Sequence, residues 1–260
     1  MEPNESLQVC YRKFIDGCHI LHINQILDAY GHLSFRHPLR SDVFIMSHSV
    51  APGLVSSPTY LIAYRIDDAE PLEETSHKGY EERRVHSEIY KRHPHVHAVV
   101  HSHSEAVVPY AISGVPLKAC YHMEAFLGSR GAAVFDIAKH RDPAREADML
   151  VRNKQTGAAL AKTFDNNNVT LMRGHGFTVV ADSIEVAVMW ATYTQTNAKI
   201  QTTAVALQST YASAGSEMGL TYLSDEECSV AQVMTKRTCQ RPWKLWIREV
   251  ESCGLYVNTA

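Results

Sequence analysis

The stretch Glu81–His103, EERRVHSEIYKRHPHVHAVVHSH, organises the reading of the whole chain. Helical spacing runs from Tyr80 to Lys91 and stops before Pro94, which cannot continue a helix. The following Val96-His97-Ala98-Val99-Val100 is rich in β-branched residues and predicts a buried strand ending in His101-Ser102-His103. Side chains at i and i+2 of an extended chain project to the same side, so the imidazoles of His101 and His103 can converge on one point. A second apolar strand, Val169-Thr170-Leu171-Met172, runs into Arg173-Gly174-His175-Gly176, a turn that can bring in His175 as a third nitrogen. Three imidazoles with an open fourth position are the usual frame of a catalytic metal site. The competing reading is chance, because a chain with 15 histidines easily contains an unrelated His-x-His.

Working outward, residues 6–30 carry apolar positions at helical spacing (Leu7, Phe14, Cys18, Leu21, Leu27), which predicts one or two helices closing at Gly31. Short strands are predicted at Gly31–Arg36, Asp42–Met46, Leu61–Ile66 and Ala132–Phe135, and Ser47–Gly53 reads as a polar loop. An amphipathic helix is predicted over Asp148–Phe164. A second helix should start at a capping box in Asp182-Ser183-Ile184-Glu185 and run to about Ser209. Beyond Gly215 the chain reads as helical, with Trp243 and Trp246 packed onto the same chain or, alternatively, anchoring an interface. No repeat or Pro/Gly-rich linker divides the chain. The expectation is a single domain over 1–260, with a motif-bearing core of about 5–210 and a helical C-terminal extension of about 211–260. Hairpins and crossovers both occur, so the sheet should be mixed.

A formal charge of −3 gives no electrostatic case for nucleic acid or an anionic membrane as partner. No apolar run approaches the 18 or more residues of a transmembrane helix, and the first residues lack the pattern of a secretory signal. Six scattered cysteines without CxxC spacing read as reduced thiols, which points to a cytoplasmic protein.

The order GHLSFR (Gly31–Arg36), then EE…HPHVHAVVHSH, then LMRGHG (Leu171–Gly176) resembles the class II aldolase/adducin family over about Gly31–Gln201. The resemblance implies a three-layer α/β/α sandwich with a mixed central β-sheet. It also implies a cyclic homotetramer with active sites between subunits. The family's metal histidines fall on His101, His103 and His175, and its catalytic carboxylate on Glu82; the competing reading of Glu82 is a carboxylate favoured at a helix start by the helix dipole. His122 stands where several aldolases carry a catalytic tyrosine, with Tyr121 one place earlier. Sugar-phosphate aldolases of the family have Gly-Asn in place of Gly31-His32, and phosphate-holding serines in place of Tyr80-Glu81. A carboxylate at the second position repels phosphate.

The GHLSFR and YHM versions resemble instead a decarboxylase-type branch acting on hydroxy-substituted aromatic or heteroaromatic carboxylates. The resemblance therefore implies a divalent-metal-dependent carbon–carbon lyase, with zinc the default ion and manganese its rival. Glu82 and His122 are the candidate proton donors. His32, Ser34, Arg36, Ser47, His48 and Tyr121 are the candidate contacts to a small-molecule carboxylate, Arg36 because a guanidinium grips carboxylates bidentately. The competing reading of Arg36 is a solvated strand end. An aldolase or epimerase, or a non-enzymatic adducin-like binding module, are the alternative activities.

Overall fold

Every strand among the described residues is short, and seven of them pair into one sheet whose order puts the predicted histidine strand in the middle. In the computed structural model, which describes residues 6–144, 147–212 and 219–260, the strands are β1 (His32–Arg36), β2 (Val43–Ser47), β3 (Leu61–Arg65), β4 (Ala98–Ser102), β5 (Ala133–Phe135), β6 (Val169–Met172) and β7 (Gly176–Ala181). Their order is β3-β2-β1-β4-β7-β6-β5. All pairs are antiparallel except β5–β6, so the sheet is mixed. The described helices are α1 (Leu7–Ile23), α2 (Arg83–Arg92), α3 (Val108–Ile112), α4 (Lys154–Ala161), α5 (Ile184–Ala212), α6 (Asp225–Arg237) and α7 (Gln240–Ser252).

Two cores form because both faces of the sheet are covered. Ala98 and Val100 of β4 belong to the core built with α1, α5 and α7, whereas Val99 between them packs with residues of α2 and α4. This is the period-two alternation of a strand, here with apolar side chains on both faces, and it gives the α/β/α layering. Trp243 and Trp246 are buried in the first core, so they pack on their own chain. The C-terminal residues return to the N-terminal helix, where the Arg12 guanidinium donates to the Ala260 carbonyl oxygen at 2.7 Å. The expected boundary at about 210/211 falls in the last turn of α5, while the start of the core at residue 5 lies outside the described residues. No helix among the described residues is long and apolar enough to cross a membrane.

Three predicted helices begin or end elsewhere, each for a local reason. α1 stops at Ile23, after which Gln25 takes a positive φ of 58°. The helix expected from Asp148 starts only at Lys154, because Asn153 caps it (Oδ1 accepts from Thr156 N, 2.9 Å) and Met149 sits at φ 68°. The irregular 148–153 stretch turns out to hold a site residue. At α5 the cap is Ser183, whose Oγ accepts from Val186 N at 3.3 Å; Asp182 instead pairs with Lys236.

The turn over 122–127 packs against α5 and α6 and encloses Glu124, which is fully buried. Burial pushes the Glu124 carboxyl up to about 8, against a smaller downward pull from Tyr121 and its own backbone. The folded chain therefore keeps this proton at pH values where the unfolded chain has lost it. Stability from this group is complete below the ordinary glutamate pKa of 4.5 and is lost as pH rises through about 8. Urea denaturation of Glu124→Gln should show a flatter fall in stability between pH 5 and 8.5, by on the order of 3 kcal/mol relative to wild type. Parallel profiles for the two proteins would remove Glu124 as a source of the slope.

Candidate metal centre

β4 delivers His101 to the sheet's edge of exit, and Ser102 fixes the strand end by donating to the Ile26 carbonyl and accepting from Ser104 N. The hairpin between β6 and β7 delivers His175, and two glycines make that turn possible. Gly174 sits at φ 66°, and a Cβ on Gly176 would lie 2.0 Å from the Ser102 carbonyl oxygen. The result is a triangle of three Nε2 atoms: His101–His103 at 3.2 Å, His101–His175 at 3.3 Å and His103–His175 at 3.1 Å.

For His101 and His103 the outward nitrogens explain why the rings face inward. The Thr178 hydroxyl donates to Met172 Sδ, so its oxygen is left to accept from His101 Nδ1 at 3.1 Å. His103 Nδ1 lies 3.2 Å from Asp28 Oδ2. Each partner favours the tautomer with hydrogen on Nδ1 and a bare lone pair on Nε2, as found behind metal-ligating histidines. Burial, with the neighbouring imidazoles second, holds His101 well below its ordinary value; burial and then His103 bring His175 down to about 4. Neutral imidazoles are the ligating form.

Glu82 occupies the cap position of α2 rather than its first turn, and is nearly buried. Its Oε1 accepts from Val151 N at 2.9 Å, in the irregular stretch before α4. Oε2 stands 3.5 Å from His175 Nε2 and 3.7 Å from His101 Nε2. Burial first, opposed by the Val151 amide, pushes the carboxyl up to about 7. One atom from each of Glu82, His101, His103 and His175 falls within 4.8 Å of the others. Nitrogens about 2.0–2.1 Å from one tetrahedral ion lie roughly 3.3 Å apart, so the triangle has the size that zinc-like coordination requires. The donor set also suits a divalent transition metal.

A cavity of about 500 Å³ opens beside the cluster, lined among others by His32, Tyr80, Glu81, Glu82, His103 and Leu150. Of the expected substrate contacts, His32 lies on it, with its ring centroid 4.9 Å from that of His101. Ser34 and Arg36 do not. β1 is buried along its whole length, and beyond His32 its side chains end inside the protein. Ser34 Oγ is bonded to His86 and Tyr90, and the Arg36 guanidinium donates to the carbonyls of Val96, Ser41, Tyr90 and His93. The expectation that Arg36 grips a carboxylate is corrected on this ground: it ties β1 to the end of α2. Ser47 is buried, and His48 stacks between Tyr60 and His77, while Ser49, Val50 and Ala51 of that loop line the cavity instead. Tyr121 and the exposed His122 sit at the 122–127 turn and do not line this cavity.

Sequence reasoning missed Asp28, Thr178 and the Val151 amide. Asp28 had a local signal: its carboxylate accepts from the amides of Tyr30 and Gly31, the pattern of an aspartate turn. Burial alone would raise its pKa, but those amides and His103 together hold it below the usual value.

A mixed sheet between helical layers, with a His-rich cluster that could hold a metal where its central strands end, defines an α/β/α class. Comparison with known proteins gives the family of that fold. The model of the Class II Aldolase and Adducin N-terminal domain matches residues 12–202. The chain is 48% identical to decarboxylase tropJ of Talaromyces stipitatus over 96% of its own length and 97% of the relative's. It is 31% identical to a 3,4-dihydroxyphthalate decarboxylase of Arthrobacter keyseri over 47% of each chain. Among solved structures, an aldolase II superfamily protein from Pseudomonas syringae aligns with a TM-score of 0.72 at 19% identity, covering 97% of both chains. An L-fuculose 1-phosphate aldolase from Glaciozyma antarctica aligns at 0.68 with 17% identity, over 94% of this chain and 89% of that one, a likeness of fold. The chain belongs to the class II aldolase/adducin family.

If Asp28 orients His103, Asp28→Asn should weaken zinc binding about 10–100-fold, as loss of an orienting carboxylate typically does. Competition against a chelator of known affinity measures it. An unchanged affinity would leave Asp28 as a turn residue only.

Proposed function

We propose that this chain is a divalent-metal-dependent lyase that decarboxylates a hydroxy-substituted aromatic carboxylate. The observation that carries the chemistry is the placement of Glu82 Oε2 against the Nε2 atoms of His101 and His175, beside an open cavity. The choice of decarboxylation over aldol cleavage rests on the relatives, whose names are those of decarboxylases, one of them acting on 3,4-dihydroxyphthalate.

His101, His103 and His175 are the residues that hold the ion. A divalent cation in that position supplies Lewis-acid polarisation of a substrate hydroxyl and its neighbouring carboxylate. Zinc fits the three nitrogens first and manganese second. The Val151 amide engages one oxygen of Glu82 and leaves the other free to carry a proton. As the bond to the departing carboxylate breaks and CO2 leaves, its electron pair stays on the ring carbon and takes the proton from Glu82. Glu82 then recovers a proton from water. Positioned proton transfer of this kind contributes about 10²–10⁴-fold.

The same reading takes the chain as one domain with its C-terminal helices folded onto the core, acting in the cytoplasm. It includes a cyclic homotetramer in which a neighbouring subunit closes each site. The exposed place of His122, away from its own chain's cavity, supports a role across that interface.

The test is release of CO2 from a panel of hydroxybenzoates and hydroxyphthalates by zinc- or manganese-loaded protein. Glu82→Gln should lower turnover by about 10²-fold or more while retaining the metal. Aldehyde in place of CO2, or full activity in Glu82→Gln, would contradict the proposal.

A further inference from the structure

His86 belongs to none of the chemistry described so far, yet it is fully buried and both its ring nitrogens are engaged. It is the middle of a chain of polar groups that runs from the second core to the cavity. Tyr90 OH and Ser34 Oγ are 2.8 Å apart, Ser34 Oγ and His86 Nδ1 2.6 Å, and His86 Nε2 and His32 Nδ1 2.7 Å. None of the four residues is more than 2% exposed. The far nitrogen of the last ring, His32 Nε2, is buried without a hydrogen-bond partner, and His32 lines the cavity beside Glu82 and His103.

Counting hydrogens decides the order of this chain. One phenol, one hydroxyl and two neutral imidazoles bring four hydrogens to three links. In one order Tyr90 donates to Ser34, Ser34 to His86 Nδ1, and His86 Nε2–H to His32 Nδ1. The fourth hydrogen is then on His32 Nε2. In the reverse order every link is also made, but the fourth hydrogen is that of Tyr90. Its hydroxyl would then be a donor in the core, where its partners are Ser34 Oγ, already donating to it in this order, and the Val99 amide, which can only donate. A buried donor left without an acceptor bears its full desolvation cost, whereas a donor at a cavity wall is met by water or ligand. Burial brings His86 down to about 3, which keeps it neutral as the count requires.

We propose that Tyr90, Ser34 and His86 form a proton-ordered relay that sets His32 as an Nε2–H donor in the cavity, where it takes a carboxylate oxygen of the substrate. The proton order stands on the hydrogen bonds alone; the choice of a carboxylate as ligand rests on the decarboxylase reading. Ser34 and His86 are positioning residues here, acting through His32. The arrangement also selects against a substrate that presents an N–H or ammonium group at this point, because two donors would meet.

Neutron diffraction from deuterated crystals of the metal-loaded protein reads the order directly. Deuterium on Nε2 of both His86 and His32 is expected, and deuterium on His32 Nδ1 would overturn the relay. In Ser34→Ala, the deuterium of His32 should divide between its two nitrogens; a map unchanged from wild type would remove Ser34 from the role. Salicylate soaked into the wild-type crystals should place a carboxylate oxygen within hydrogen-bond distance of His32 Nε2, and its absence there would overturn the ligand assignment. Deuteron positions need no turnover, so their failure is distinguishable from a failure to release CO2.

Discussion

Three imidazole nitrogens face one another across 3.1–3.3 Å, with His101 fully buried and His103 and His175 partly so. Bare lone pairs at that distance repel, and hydrogen bonding among three such atoms can satisfy them only in part. A cation at the centre turns the repulsion into three favourable bonds, which is why the donor set is best understood as a ligand set. The surroundings are built to keep it so. Thr178 holds His101 from behind, Asp28 holds His103, and the close approach of Gly176 to Ser102 pins the turn that carries His175. Glu82 completes the cluster only because a piece of backbone at Val151 fails to become helix.

The sheet order is what makes these groups neighbours. β4 lies between β1 and β7, so His101 stands directly opposite His32 on one side and Thr178 on the other. A single register thus places the candidate ligand His101, the hydroxyl behind it and the cavity-facing histidine in one row across three strands. A slip of one residue would turn every one of them to the other face. Because both faces are covered, a slip would exchange the apolar sets between the two cores, whose shapes differ, rather than expose them.

Much of this was legible in the sequence because it is local. His-x-His at the end of a β-branched run, and Gly-His-Gly after a second apolar strand, report strand ends that share an exit from the sheet. Placement failed where it depended on what covers a strand. GHLSFR reads as a turn entering a short strand, so Ser34 and Arg36 were expected to reach ligand; with both faces of β1 covered, they serve the interior instead. The Asp148–Phe164 helix was overestimated because apolar spacing does not register a backbone amide taken by a distant carboxylate. Asp28 and His86 were given no role in the site because the histidines they meet there, His103 and His32, are 75 and 54 residues away. Tyr121 and His122 were placed by resemblance to a subunit-spanning site, and in the single chain they stand apart from its cavity.

The most direct test of the account is elemental analysis of protein purified without chelator or histidine tag, beside a His101→Ala/His103→Ala control. About one divalent ion per chain, absent from the control, is the predicted result for a site with one set of three nitrogens. No metal in either protein, even after incubation with zinc or manganese, would contradict the ligand reading and leave the triangle without a chemical purpose.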